Sequence, residues 1–234
     1  MLTIKNLNVS YGVIPVLHNV NMTVEKGELV ALLGSNGAGK TTLLNTVSGI
    51  LQGASGTIEF LGKRIEKSAP QNIVRMGISQ IPEGRKIFPY MTVKENLFMG
   101  ASTRQAWGSR HEMFERVTKL FPILEERKNQ RASLMSGGEQ QMLVIARGLM
   151  AKPLLLMIDE PSLGLSPLFQ KQIYRAIETL PEQGITILLA EQNAQISLEI
   201  SNRGYVLQDG EIVMGGTSEE LLASDMIRQA YLGV

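Results

Sequence analysis

Two hydrophobic periodicities divide the chain. At the N-terminus Leu2, Ile4, Leu7 and Val9 alternate roughly with polar residues and Val20-Asn21-Met22-Thr23-Val24 repeats the habit, which predicts antiparallel strands with Tyr11-Gly12 between them. Apolar runs at Leu29–Leu33, Leu154–Ile158 and Ile185–Ala190, the last interrupted only by Thr186, predict strands buried on both faces. Shorter strands are expected at Gly56–Phe60 and Ile78–Ile81, and a hairpin where Tyr205-Val206-Leu207 and Glu211-Ile212-Val213 flank Gln208-Asp209-Gly210. Helical patterns start at Thr42 and end near Gly49, cover Ser68–Met76, and run from Ser166-Pro167, an N-cap and first-turn proline, to Thr179. A terminal helical pair is expected over Ser218–Tyr231.

Between Pro89 and Met150 the strand signal disappears. Thr92-Val93-Lys94-Glu95 is a capping box for a helix through Met99, and His111–Leu120 and Ile123–Lys128 read as helices broken at Pro122. Polar Ser102–Arg110 is expected to be a loop. The pattern predicts one α/β domain over residues 1–234, with a core from 1–88 and 151–234 and a helical subdomain from 89–150.

Composition narrows the function. Lys+Arg 23 against Asp+Glu 22 leaves no global field for nucleic acid, which is excluded as an expected partner. With Cys 0 there is no disulfide or thiolate chemistry. No apolar run approaches the roughly 20 residues of a membrane helix, and Met1-Leu2-Thr3-Ile4-Lys5 leads straight into a strand pattern without a signal segment. If the protein works at a membrane, other chains are expected to span it.

The chemistry concentrates at Gly34-Ser35-Asn36-Gly37-Ala38-Gly39-Lys40-Thr41, between the Leu29–Leu33 strand and the helix that includes Thr42. Glycines in this G-x-x-x-x-G-K-[ST] pattern let backbone N–H groups curl around a polyphosphate at a helix N-terminus. Lys40 is then expected at the β/γ-phosphates of ATP, and the Thr41 hydroxyl on Mg²⁺. A second apolar strand ends in Asp159-Glu160, a carboxylate pair suited to holding Mg²⁺ (Asp159) and to orienting or deprotonating water (Glu160). In Met135-Ser136-Gly137-Gly138-Glu139, Ser136 and Glu139 read as a capping box for a helix through Met150. The double glycine costs such a helix roughly 2 kcal/mol against alanine, so bare backbone facing a phosphate is an added expectation.

These stretches resemble the ATP-binding subunit of an ABC transporter. Gly34–Thr41 is similar to its Walker A motif, Met135–Glu139 to its signature motif and Ile158-Asp159-Glu160 to its Walker B motif, in matching order over essentially the whole chain. The resemblance implies the ABC ATPase fold: a RecA-like phosphate-loop core, an N-terminal antiparallel β-subdomain and an inserted α-helical subdomain. It implies a head-to-tail pair of cassettes, identical or sister subunits, in which Ser136, Gly137 and Gly138 of one bind the γ-phosphate held by the other. It places Tyr11 where an aromatic ring stacks on adenine; a tyrosine simply flanking a strand is the plainer alternative. It also implies membrane-spanning permease subunits, an indirect solute-binding protein and a place on the cytoplasmic face of the cell membrane.

Three positions depart from the general family pattern: Glu83 replaces the usual Q-loop glutamine, Ser166 the D-loop aspartate and Gln192 the switch histidine. With Pro82-Glu83-Gly84-Arg85, Glu191-Gln192-Asn193 and the closing Ala230-Tyr231-Leu232-Gly233, the chain is similar to the second ATP-binding subunit of branched-chain amino acid importers. An amide at Gln192 can donate to a γ-phosphate but cannot carry a proton. Glu83 is open to a water or Mg²⁺ role, or to a solvated ion pair with Arg85 or Lys86. Ile87, Phe88 and Tyr90 are expected to be exposed at a docking cleft for the permease. A cassette for urea or lipid, a soluble non-transport ABC ATPase and a non-hydrolysing nucleotide-binding module are the competing readings; Glu160 speaks against the last.

Overall fold

The computed structural model describes residues 1–228; the Ala230-Tyr231-Leu232-Gly233 resemblance and the end of the expected Ser218–Tyr231 helical pair lie outside them. β1 (Leu2–Tyr11) and β2 (Ile14–Val24) form an antiparallel pair. β3 (Leu29–Leu33) leads through the glycine loop into α1 (Lys40–Val47). There follow β4 (Ser55–Phe60), β5 (Lys63–Arg64), α2 (Pro70–Arg75) and β6 (Ile78–Ile81). A strandless run holds α3 (Val93–Gly100), α4 (Arg104–Gly108), α5 (Arg110–Leu120), α6 (Ile123–Glu126) and α7 (Gly137–Leu149). The chain then returns to β7 (Leu155–Asp159), α8 (Pro167–Glu178), β8 (Thr186–Glu191), α9 (Ala194–Ile200), β9 (Arg203–Gln208), β10 (Glu211–Thr217), α10 (Ser218–Ala223) and α11 (Asp225–Ile227).

Two sheets result. The first is antiparallel in the order β2-β1-β4-β5, and the second runs β10-β9-β3-β8-β7-β6, parallel apart from β10. The strict period of two in the apolar strands sorts their side chains between layers. Leu155, Met157, Leu188 and Ala190 pack with the antiparallel sheet and α1, while Leu156, Ile158, Ile187 and Leu189 pack with the helical layer. That second core also takes in Val93 and Leu97 of α3, Met113 and Val117 of α5 and Leu143 and Ile145 of α7. The helical run thus shares its core with one face of the parallel sheet.

Two expectations need correction. Ser102–Arg110 is not simply a loop: Thr103 accepts the Ala106 N–H at 3.1 Å and starts α4, which buries Ala106 and sets Trp107 under the Arg110 guanidinium at 4.4 Å. A single buried residue per turn leaves too little periodicity for a polar sequence to show this helix. Ile87 is half-buried and packs against the helical core, whereas Phe88 and Tyr90 are exposed at 42% and 86%.

Candidate active site

The C-terminal ends of neighbouring parallel strands bring the chemistry together, as expected where open α/β sheets present ligand crevices. The loop after β3 holds Gly34–Gly39 and places Lys40 at the first residue of α1 rather than ahead of it. Gly39 has φ +108°, and a Cβ there would meet Leu17 Cδ2 at 2.7 Å. A Cβ on Gly34 would meet the Leu207 carbonyl oxygen at 2.5 Å. Both positions demand glycine for backbone geometry before any ligand is considered.

Lys40 is buried, and its Nζ donates to the Gly34 and Ser35 carbonyls at 2.7 and 3.1 Å while lying 3.0 Å from Glu160 Oε1. Thr41 Oγ1 donates to Asp159 Oδ2 at 2.7 Å. The other oxygen, Asp159 Oδ1, is buried with no partner. Burial above all, with the nearby carboxylates of Glu160 and Glu83, pushes the Asp159 pKa up to about 6 against the pull of Thr41 and Lys40. A hydroxyl and a buried carboxylate with a free oxygen form the hard-oxygen donor pair that Mg²⁺ takes from protein when phosphates and water complete its shell. The residues present fit that ion.

Glu160 follows β7 with φ +44°, an uncommon conformation for a residue other than glycine, and its N–H donates to Ala190 O at 2.9 Å. Its side chain borders two clefts. One, of about 370 Å³, is lined by Asn36, Gly37, Lys40, Thr41, Thr42 and Glu83; the other, of about 490 Å³, by Ser162, Gly164, Glu191 and Gln192. Glu83 and Gln192 therefore line different clefts, each bordered by Glu160. Among the described residues Glu83 pairs with neither Arg85 nor Lys86; Arg85 Nη2 instead donates to the carbonyls of Leu163 and Gly164 at 3.1 Å each. Ser166 caps α8 from an extended backbone, with no side-chain hydrogen bond.

Ser136, Gly137, Gly138 and Tyr11 line neither cleft. Tyr11, 48% exposed, ends β1 opposite Ile14, close in sequence to Val16 at the cleft wall. Ser136 caps α7: its N–H donates to Glu139 Oε2 at 2.7 Å and its Oγ accepts the Glu139 N–H at 3.4 Å. Glu139 is further held by Arg127 at 3.1 Å. The structure adds a reason for the double glycine that local sequence does not carry. A Cβ on Gly137 would lie 2.5 Å from Arg85 Nη1, and one on Gly138 would enter the Phe169 ring of α8. The glycines thus fit the cap to its neighbours while leaving its first turn bare. Sequence reasoning also missed a part for Glu191, a carboxylate ending a strand buried throughout and itself 2% exposed; a charge at the end of a largely apolar run was the available signal.

Known proteins resemble this chain in sequence and fold. The sequence model of the ABC transporter family matches residues 17–163. The high-affinity branched-chain amino acid transport ATP-binding protein BraG of Pseudomonas aeruginosa is 48% identical over 233 residues, covering 100% of both chains. The lipopolysaccharide export system ATP-binding protein LptB of Haemophilus influenzae is 34% identical over 100% of this chain and 97% of its own. The crystal structure of the ADP conformation of an ATP-binding cassette of an ABC transporter superposes with a TM-score of 0.85 at 27% identity, over 100% of this chain and 99% of that one. The chain belongs to the ABC transporter family, as one of its ATP-hydrolysing subunits.

Proposed function

We propose that this cassette energises an importer of branched-chain amino acids from the cytoplasmic face of the membrane. The observation that carries the catalytic part is the pairing of Thr41 with Asp159 beside Lys40 and Glu160, with Asp159 Oδ1 left free. The substrate rests on the full-length similarity to BraG, named for branched-chain amino acid transport. The more distant likeness to LptB favours a lipid-exporting alternative less.

On ATP binding Lys40 exchanges the Gly34 and Ser35 carbonyls for the β/γ-phosphates, which frees Glu160 from its ion pair. Thr41 and Asp159 would hold Mg²⁺, whose contribution is positive charge against the phosphate oxygens. Loop amides from Asn36 to Thr42 orient the triphosphate, and Tyr11 is the ring available to stack on adenine. Glu160 then orients and deprotonates the attacking water, with the Gln192 amide donating to the γ-phosphate and Glu83 accepting from water in the cleft of the phosphate loop. Ser136, Gly137 and Gly138 line neither cleft of their own chain, so a second cassette, identical or sister, supplies that turn to complete the site.

The permease is assigned to a groove of about 360 Å³ between the parallel sheet and the helical run, lined in part by Ile50, Gln80, Phe88, Met99 and Arg147. Two buried polar atoms without partners belong to its lining residues: Gln80 Oε1 and Arg147 Nη1. The Arg147 guanidinium stacks 5.0 Å from the Phe88 ring and its other nitrogen bonds the Lys86 carbonyl. A permease segment offering a carboxylate would pair the free Nη1. Among the described residues no helix is long and apolar enough to cross a membrane. Phe88→Glu is expected to reduce co-purification of the permease by about tenfold or more, and undiminished recovery would contradict the docking assignment. Uptake of labelled leucine by the assembled transporter, lost with Lys40→Ala, tests the whole reading. ATP-dependent movement of lipid with no leucine uptake would overturn it.

A further inference from the structure

Glu191 has no assigned part in hydrolysis, yet it is among the most confined charges in the molecule. It ends β8 with 2% exposure, and no cation pairs with it among the described residues. Three neutral donors satisfy it instead. Oε1 accepts the Tyr174 hydroxyl of α8 at 2.7 Å and the Ser162 N–H at 3.2 Å, and Oε2 accepts the Gln192 N–H at 3.1 Å. Burial and the adjacent carboxylate push the Tyr174 pKa well up, so its hydroxyl remains a donor. A buried carboxylate without a counter-ion is costly to keep, and as a device for packing alone an apolar residue would serve better.

The three donors lie on the segments that frame the reaction. Ser162 follows Glu160 by two residues, and its carbonyl accepts from Gln170 of α8 at 3.2 Å. Gln192 lies between Glu191 and Asn193, whose Oδ1 caps α9 through the Ile196 N–H at 3.3 Å. The exposed Gln192 side chain thus rises from a turn anchored on both sides, while the Glu160 N–H is fixed to Ala190 O on the same strand. We propose that Glu191 is a positioning residue that holds the Gln192 turn in register with the segment after Glu160, so that the amide and the attacking water address the same phosphate. The inference rests on the role given above to Gln192 and adds the group that aims it.

Glu191→Gln keeps the volume and separates the contacts. The amide oxygen is favoured at the position that faces two donors, which turns the new NH₂ toward the Gln192 N–H and breaks that contact alone. ATP hydrolysis by the assembled transporter is expected to lose about tenfold in kcat, since small misplacements of catalytic groups carry factors of this size, with KM for ATP within about twofold. Because the effect passes through Gln192, the same substitution placed on Gln192→Ala is expected to cost less than about twofold more. Tyr174→Phe, which removes one donor without introducing a repulsive group, is expected to lower kcat by a smaller factor and to be silent on Gln192→Ala as well. A parental kcat for Glu191→Gln beside a slow Gln192→Ala would overturn this inference alone, as would a loss carried in full onto the Gln192→Ala background. A parental kcat for Gln192→Ala by itself would remove the role of Gln192 and, with it, the inference.

Discussion

Glu160→Gln should abolish turnover while sparing nucleotide binding: kcat is expected to fall by about 10²–10³-fold, in the range ascribed to loss of a general base. The substitution is isosteric and leaves the amide able to accept from Lys40, so the 3.0 Å contact and the φ +44° turn that aims the side chain can persist. What disappears is the capacity to take a proton from water. Phosphate release in single turnover and nucleotide binding, measured on the same preparation, separate the two effects. A kcat within twofold of the parent would show that Glu160 is not the base, and would favour a different origin for water activation at this site.

Asp159→Asn should trade activity for stability. With its pKa at about 6 against an ordinary value of 3.8, Asp159 holds a proton in the folded protein that the unfolded chain has lost between those two values. Across that window the native state binds more protons than the unfolded one, so stability falls as pH rises from about 4 to about 6 and stays low above it. Charging this buried carboxylate costs the nucleotide-free protein at most about 3 kcal/mol at neutral pH. Asparagine retains an acceptor for Thr41 and removes the charge. The nucleotide-free variant is expected to melt roughly 5–10 °C higher at pH 7.5, a gain that shrinks toward pH 5, while Mg²⁺-dependent hydrolysis drops to background. A lower Tm at pH 7.5, or a pH-independent gain, would contradict the buried-charge account. The same cost is what bound Mg²⁺ would relieve.

Much of this site could be read before folding because its parts are local. The loop from Gly34 to Thr41 and the Asp159-Glu160 pair each stand at the end of an apolar strand, and β8, parallel to both β3 and β7 and lying between them, brings both strand ends to one edge. What escaped the sequence is held by distant contacts. The reason for Gly137 and Gly138 lies partly in Arg85 and Phe169, and the half-burial of Ile87 in a helical core assembled from several elements. Helix α4 escaped because it is little more than one turn long and buries only Ala106. Glu191 was visible as a charge ending an apolar strand, but its three donors come from α8, the turn after β7 and the next residue, which no local pattern joins.

The claim on which the rest depends is that two cassettes share each nucleotide. With Cys 0 in the chain, a single pair of introduced thiols reports this directly. Asn36→Cys and Ser136→Cys in the Glu160→Gln background should form a disulfide between chains when Mg²⁺ and ATP are present, with the same chain or with its sister cassette, and should not without nucleotide. A species that stays monomeric and uncross-linked under saturating ATP, both alone and with the sister subunit, would contradict it.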